Sequence, residues 1–207
     1  MIAKIKDTMS LEPNYRLTIA SNETVAKIYL ETKKKKVSPQ NIKTIIDILS
    51  DKSWVLRDEI ARIMIKYTGP LLANCRIVET HNKIPNVYRY DLAKKIAWQT
   101  TASTLIANYI AVWSGTTAVS DTDTQLATEL VRGTFTDRTS DLNVSYLDRF
   151  FSAVEVGWLT INEIWSFVDG TATANSGYLL SRALTSIVLS ANETLTVNVT
   201  ISLTSAT

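Results

Sequence analysis

The sequence predicts an α+β protein in which a helical, mixed N-terminal half is followed by an antiparallel β-sandwich. Three observations support this prediction: apolar residues at helical spacing between 39 and 67, short alternating segments after about residue 105, and a change of composition between 85 and 100. All four prolines lie in the first 85 residues, whereas five of the six glycines follow position 114. We therefore expect a basic, mixed α/β region over 1–85 and a helix plus β-sandwich assembly domain over 86–207.

The N-terminal region is predicted to contain two short strands and then two helices. Alternating apolar and polar residues over 14–31 favour strands on either side of a turn at Asn22 and Glu23. Ser38 can cap a helix over 39–49, where Pro39 suits the first turn because its missing N–H would have no partner there. A second helix is expected over 54–67, since its apolar residues recur at helical spacing.

The chain after the second predicted helix is expected to form extended and helical segments before a run of strands. An extended stretch near 71–79 precedes a helix over 91–105 and an apolar strand over 108–113. Thr122 and Gln125 have the spacing of a capping box, which predicts a short helix to about Val131. Turn-forming residues then separate the candidate strands 133–139, 143–154, 159–168 and 178–189.

The last segment has the clearest strand pattern in the chain. Apolar residues alternate with polar ones from Thr194 to Leu203. Successive side chains of a strand point to opposite faces, so this alternation predicts one buried face and one solvated face.

Charge is divided unevenly along the chain. Residues 1–100 contain 18 of the 22 Lys and Arg and 10 of the 20 Asp and Glu, a net charge of +8, whereas residues 101–207 contain 4 and 10, a net charge of −6. No lysine follows Lys95. Such polarity suits a subunit that contacts different neighbours at its two ends, because complementary potentials favour correct pairings.

The C-terminal stretch from about residue 91 to 207 carries an ordered set of motifs. An apolar strand (108–113) runs into Ser114-Gly115-Thr116-Thr117-Ala118, then into Asp-Thr pairs over 121–124 and a Leu-containing segment to Leu130. The segments 143–151, 163–167, 179–183 and a closing strand rich in Thr and Val follow in order. This order resembles a domain of tailed-phage virion proteins that occurs in tail, neck and fibre components. The resemblance implies an assembly role and brings no catalytic residues with it.

Two sets of residues are candidates for contacts with other proteins. The first is the basic run Lys33, Lys34, Lys35 and Lys36, which can also be interpreted as a solvated loop before a helix. The second is a pair of tryptophans, Trp113 and Trp158, because large aromatic residues contribute strongly to protein interfaces.

Two other binding functions remain open as alternatives. A DNA-binding protein would use the basic helix pair over 39–67, with lysines neutralising phosphates. A glycan- or receptor-binding adhesin would use the tryptophans and tyrosines as a platform on one face of the sandwich.

Few residues offer the chemistry of an enzyme or a metal site. A single Cys75 excludes an intrachain disulfide framework, and a single His81 removes most histidine-based sites. A calcium loop is loosely matched by the spacing of Asp121, Asp123, Gln125 and Glu129, but the required glycine and final glutamate are missing, and helix capping explains these residues more simply. We expect no enzyme activity and no cofactor or metal.

These observations lead to one working hypothesis about function. We expect a non-enzymatic subunit of a phage virion, in the tail, neck or collar, fibre or baseplate, that forms a homo-oligomer and contacts other virion proteins. The resemblance implies assembly in the host cytoplasm. No membrane partner is expected, because no stretch reaches the roughly 18 apolar residues that a spanning helix needs.

Overall fold

The computed structural model describes residues 9–50, 54–81, 84–101, 103–118, 120–124 and 128–205. Within these residues the chain forms five α-helices and two antiparallel sheets, which confirms a mixed α+β protein. Gln125, the second member of the predicted capping box, lies outside the described residues.

The nine strands of the described chain form one five-stranded and one four-stranded sheet. Sheet A has the spatial order β2 (Arg76–His81), β1 (Met9–Ser21), β9 (Glu193–Ser205), β6 (Val144–Phe151) and β5 (Asp137–Asp141). Sheet B has the order β4 (Glu129–Thr134), β3 (Ala107–Trp113), β7 (Thr160–Val168) and β8 (Tyr178–Val188). Every neighbouring pair is antiparallel.

Sheet A joins the two ends of the chain. β1 pairs with β9 over its whole length, from Met9 opposite Ser205 to Ser21 opposite Glu193. β1 and β2 come from the region 1–85, and the other three strands come from beyond it. The division expected at residue 85 therefore passes through a shared sheet.

The main core lies between the two sheets. Its buried apolar residues include Leu17 and Val197 from sheet A and Ile110 and Ile164 from sheet B. Tyr15 places a hydroxyl in this interior, where it lies 3.1 Å from Ser166 Oγ and 2.5 Å from Ser181 Oγ. A buried hydroxyl needs such partners, because an unsatisfied polar group in the core destabilises the fold.

Three helices cover the outer face of sheet A. They are α1 (Asn22–Thr32), α2 (Pro39–Ser50) and α3 (Trp54–Lys66), and the two predicted helices over 39–49 and 54–67 are thus confirmed. A second core forms between these helices and the sheet, with the buried side chains Ile28, Leu49, Ile60, Met64 and Phe150 among its members.

The prediction of two strands over 14–31 was wrong in its second half. Residues 14–21 belong to β1, but the chain becomes helical at Asn22, where the side chain of Ser21 accepts a hydrogen bond from Thr24 N at 3.2 Å. Serine is a strong N-cap because it satisfies a free N–H of the first turn. Buried residues at 25, 26, 28, 29 and 30 fit a helix packed on the sheet.

Between residues 70 and 101 the structure differs from the predicted order. Instead of one extended stretch over 71–79, a short 3₁₀ helix (Pro70–Asn74) precedes β2. The next helix, α4 (Asn86–Ile96), begins before the predicted residue 91 and ends well short of 105. It stops where Trp98 adopts a positive φ of 57°, a conformation incompatible with continued right-handed helix.

The predicted short helix over 122–131 was wrong at its C-terminal end, because β4 begins at Glu129. The single strand expected over 133–139 is divided between β4 and β5. The strand expected over 143–154 ends at Phe151, where Ser152 and Glu155 form a capping box that opens the short helix α5 (Ala153–Val156). The strands over 108–113, 159–168 and 178–189 are confirmed within one residue or two.

The last strand is confirmed, but its expected solvated face is largely covered. Leu195, Val197 and Val199 face the main core as predicted, while Thr194 and Thr196 are also buried. The helix layer lies over the second face of this strand, which is why threonines that an isolated pattern would place in water are inside the protein.

Among the described residues, no helix combines the length and apolar character that a membrane-spanning segment requires.

Candidate assembly surface

The two ends of the sheet pair have different surfaces. We call upper end the end at which Ala107 of β3, Ser145 of β6 and Leu203 of β9 meet around one pocket. We call lower end the opposite one, where α5 leads through Trp158 into β7.

A mostly apolar pocket opens at the upper end. Its volume is about 420 Å³, and its apolar walls come from α4, from the segment before β3 and from both sheets: Leu92, Leu105, Ile106, Leu147, Leu180 and Leu203. Tyr88, Arg138 and Ser145 supply its polar groups. Burial raises the pKa of the Tyr88 phenol.

Large apolar side chains that line this pocket, or that lie close in sequence to residues contacting its wall, are exposed. Trp98 and Leu142 are each 98% exposed, and Ile96 and Ile106 are also exposed. Trp98 and Leu142 both have positive φ angles, of 57° and 50°, which non-glycine residues adopt infrequently. Large exposed apolar groups are a common feature of binding surfaces, so the upper end is the candidate assembly surface.

The chain around the pocket is fixed by hydrogen bonds. Asp169, in the turn after β7, accepts hydrogen bonds from Ser103 Oγ at 2.8 Å, from Thr104 N at 2.7 Å and from the Thr104 hydroxyl. Although burial alone would raise the pKa of Asp169, these hydrogen bonds outweigh it and lower the pKa. The segment that carries Leu105 and Ile106 into the pocket wall is therefore held in place.

The turn that carries Leu142 is fixed in a similar way. Asn143 Nδ2 donates to Leu203 O at 2.6 Å, and Leu203 N donates to Asn143 O at 2.9 Å. Leu142 thus projects from a turn whose next residue is bonded to the pocket wall.

At the lower end, the structure places Trp158 on the surface. Its side chain is 78% exposed, and its φ is 67°. Val154, four residues earlier in the chain, and Val188, which pairs with Thr160 at the start of β7, are also exposed. Of the two predicted tryptophans, this one is available for contacts with another protein.

Trp113, in contrast, lies inside the protein. It is 1% exposed, its ring centroid is 5.5 Å from that of Trp165, and it belongs to a small aromatic core on the outer face of sheet B. A strand residue with an apolar pattern can be buried on either face, and here loops cover the outer one. The contact surface suggested by the sequence therefore does not include Trp113.

The basic run lies in the exposed connection between α1 and α2. Lys33 forms an ion pair with Glu59 of α3, and Lys35 Nζ lies 6.0 Å from the centre of the Tyr29 ring. Lys34 has a positive φ of 53° in the turn, and Lys36 uses its carbonyl to accept a 2.7 Å hydrogen bond from Asn41 Nδ2. The run is solvated, and two of its members also contact neighbouring side chains of their own chain.

The helix pair proposed for DNA binding packs on sheet A. Ile60 and Met64 of α3 belong to the second core, and Arg57 of α3 points to Ser152 and Glu155, with 3.3 Å between Arg57 and the Glu155 carboxylate. Lys66 pairs with Asp137 of β5 at 2.9 Å. Much of the positive charge of α3 is thus matched by acidic groups of the same chain.

A buried charged network holds the loop after β3 against the outer face of sheet B. Arg182, fully buried, donates to Glu163 at 2.8 Å, to Asp123, and to the carbonyls of Thr117 and Ala118. No local sequence pattern predicted this role for Arg182.

Arg132 holds the loop after β7 in a comparable manner. It makes a two-pronged contact with Glu129 at 2.7 and 2.9 Å, donates to Thr171 O and Ser176 O, and lies 4.7 Å from the Phe167 ring centre. The absence of lysine after position 95, with arginine as the only strongly basic residue there, was the sequence signal that could have identified both arginines.

Two of the residues considered for calcium form ion pairs with arginines, and Gln125 lies outside the described residues. Asp123 pairs with Arg182 and Glu129 with Arg132. In the described ranges, no cluster of three or more His, Cys, Asp or Glu residues is arranged to bind a metal ion.

Comparison of the chain with protein-family models, with curated proteins and with solved structures gives no match.

Proposed function

We propose that this chain is a non-enzymatic structural subunit that acts by protein–protein assembly, as a tail, neck or collar, fibre or baseplate component of a tailed-phage virion. In this proposal the two sheets form a β-sandwich docking module, and the basic N-terminal region contacts a second component. The observation that carries the proposal is the upper end, where an apolar pocket opens, the exposed Leu142 lies next to a residue bonded to the pocket wall, and the exposed Trp98 lies in sequence between two wall segments.

The energetics of the upper end favour a partner. Burying one large apolar side chain that would otherwise be exposed to water contributes about 1.5–3 kcal/mol of favourable free energy. Trp98, Leu142, Ile96 and Ile106 forgo this contribution in the single chain. A subunit that docks through this end recovers it, and the hydrogen-bonded turns that present these residues need little rearrangement on binding.

The virion setting is supported by the ordered motifs from about residue 91 onwards and by the division of charge along the chain. Basic and acidic regions on one subunit allow neighbouring copies or components to pair with complementary charge. Lys34 and Lys36, which are exposed, would be the members of the basic run that meet an acidic neighbour.

The two alternative functions gain less support from the side chains. An adhesin platform needs several aromatic residues on one surface, whereas Trp113 and Trp165 are buried and the exposed Trp98 and Trp158 lie near opposite ends of the sheets. DNA binding through α2 and α3 would rely on cations, of which Lys33, Arg57 and Lys66 already contact carboxylates of this chain.

The proposal is tested by measuring the mass of the purified chain by light scattering at several concentrations and at two salt levels. We expect a defined multiple of 23.1 kDa, or growth into rings or tubes as concentration rises. Weaker assembly at high salt would indicate pairing between basic and acidic regions. A monomer at every concentration, combined with salt-sensitive retention on duplex DNA, would contradict the proposal and favour DNA binding.

A further inference from the structure

We propose that the upper ends of two copies meet about a two-fold axis, with Leu142 of each copy inserted into the upper-end pocket of the other. This inference rests on the proposed assembly function and adds the partner and the contact. It follows from three features that lie on or beside one hairpin, formed by β5, its turn and β6.

The first feature is the projecting side chain. Leu142 is 98% exposed at the tip of the hairpin, where its positive φ of 50° turns the chain sharply between Asp141 and Asn143. An asparagine or glycine would adopt this φ at a lower energetic cost and would not expose a large apolar side chain to water. A leucine at such a position gains no contact within its own chain that accounts for it.

The second feature is the pocket next to that tip. Asn143 is hydrogen-bonded to Leu203, which lines the pocket, and Ser145 of the same hairpin lines it too. At about 420 Å³, with walls of leucine, isoleucine and alanine, the pocket is large enough for a leucine side chain and part of its turn. Apolar surfaces on both partners favour this contact.

The third feature is charge. Asp141 precedes the projecting leucine, and Arg138 of the same strand lines the pocket, where it donates to Ala107 O at 2.9 Å. When Leu142 of one copy enters the pocket of another, its neighbour Asp141 approaches the partner's guanidinium. We call Leu142 the knob and the upper-end pocket the hole. The acidic residue beside the knob therefore has the charge opposite to that of the arginine that lines the hole.

These features together select a second copy of this chain as the occupant. A two-fold contact requires that one patch contain both halves of the interaction, and here the knob and the hole are side by side. A small apolar ligand would fill the pocket but would leave Leu142 and Trp98 exposed. A two-fold contact covers the knob and the hole of both copies at once.

A matched pair of variants tests the contact. Leu142→Asn removes the knob and Trp158→Asn removes an exposed apolar residue at the lower end; both sites have positive φ, which asparagine tolerates well, so both variants should fold. Because each dimer contains two copies of the knob, we expect Leu142→Asn to weaken dimerisation by about 100-fold. Trp158→Asn should leave the dimer unchanged. Sedimentation velocity over a concentration series measures both, and thermal unfolding checks the fold.

A charge exchange tests the pairing of Asp141 with Arg138. Chains carrying Asp141→Arg or Arg138→Glu should each dimerise poorly alone, because like charges face each other twice. In a mixture, both contacts of the mixed dimer regain opposite charges, so the two variants should associate with each other at least about tenfold more tightly than with themselves. Native mass spectrometry of the mixture distinguishes the mixed dimer from the two homodimers.

Each outcome bears on the inference. Loss of dimer with Leu142→Asn, retention with Trp158→Asn and formation of the mixed dimer would support it. Loss of assembly only with Trp158→Asn would overturn it and leave the proposed assembly function in place, now through the lower end. A wild-type chain that stays monomeric at all concentrations would overturn the inference, whereas the proposed assembly function would be overturned only if salt-sensitive retention on duplex DNA accompanied the monomer.

Discussion

The outer faces of the two sheets are covered in different ways. Helices α1, α2 and α3 cover sheet A, and the contact between them is made mainly by aliphatic residues such as Ile28, Leu49 and Ile60. The loops after β3 and β7 cover sheet B, and there the contact is made by arginines, carboxylates and aromatic rings. The difference follows from how the backbone N–H and C=O groups are hydrogen-bonded in a helix and in a loop.

A helix satisfies its backbone groups internally, so apolar side chains suffice to attach it to a sheet. A loop has carbonyl groups without regular partners, and burying them unpaired destabilises the fold. Arg182 and Arg132 solve this problem on sheet B because one guanidinium offers five donors in a plane. Arg182 donates to Thr117 O and Ala118 O, and Arg132 donates to carbonyls of the loop after β7.

The same rule extends to the rest of the C-terminal region. The four strongly basic residues of 101–207 are all arginines, and each donates to at least one backbone carbonyl: Arg132 to Thr171 and Ser176, Arg138 to Ala107, Arg149 to Thr134, and Arg182 to Thr117 and Ala118. Lysine offers a single charged group without the planar fork and cannot replace these contacts. For Arg132 and Arg182, whose acceptors lie in the loops that cover sheet B, this difference explains why arginine occupies these positions.

The largest effect should come from the loop-covered face. Arg182→Leu keeps an apolar stem over Trp165 but leaves the fully buried Glu163 carboxylate without its partner. Removing one member of a buried ion pair costs about 3–5 kcal/mol. We expect a loss of that size in the free energy of unfolding, measured in urea at pH 7.

A double variant serves as the control for this prediction. Arg182→Leu combined with Glu163→Gln removes the uncompensated charge, so part of the lost stability should return. Hydrogen exchange should also speed up in the loop after β3 in both variants, because Thr117 and Ala118 lose their donor. Equal stability of the single variant and the wild type would contradict the role given to this arginine.

A change on the helix-covered face should have a somewhat smaller and spatially separate effect. Ile60 is fully buried in the second core, and Ile60→Ala should lower the free energy of unfolding by about 2–4 kcal/mol through lost contacts and the cavity that remains. Hydrogen exchange should rise in α1, α2 and α3 and stay unchanged in the loop after β3. Faster exchange in both places would show that the two covers are one cooperative unit.

The sequence predicted the helix cover better than the loop cover, for a physical reason. Periodic apolar residues identified α2, α3 and most strands, because a regular element repeats its buried face at a fixed interval. Two capping signals, at Ser21 and at Ser152, were missed, and with them the starts of α1 and α5.

The candidate surface was predicted only in part. Trp158 is exposed as a contact residue must be, whereas Trp113 is buried, because the pattern of a strand does not show which face a loop will cover. Trp98 was considered only among the tryptophans of a glycan platform and Leu142 was not identified, since their exposure depends on left-handed backbone positions that have no periodic signal. The pocket between them depends on residues far apart in sequence, which alternation within one segment does not bring together.

The smallest effects are expected in the pH dependence of stability, which should have opposite signs for one carboxyl beside each cover. Asp169, beside the loop after β7, has a pKa that burial would raise but that its hydrogen bonds to Thr104 and Ser103 lower overall. Its contribution to stability is present above the pKa of an unfolded aspartate and is lost as pH falls through the folded pKa. Asp169→Asn should therefore be less stable than the wild type at pH 7, with the difference shrinking in acid.

Asp148, on the helix-covered face, should behave in the opposite way. Burial raises its pKa, and the 2.9 Å hydrogen bond from Asn198 Nδ2 offsets this only in part. A carboxyl whose pKa is raised on folding favours the native state in acid, and this contribution is lost as pH rises through the folded pKa. Asp148→Asn should thus be more stable than the wild type at pH 7 and equal to it near pH 3. Urea unfolding of both variants between pH 3 and pH 7 measures the two slopes, and slopes of the same sign would show that loops and helices do not differ in this respect.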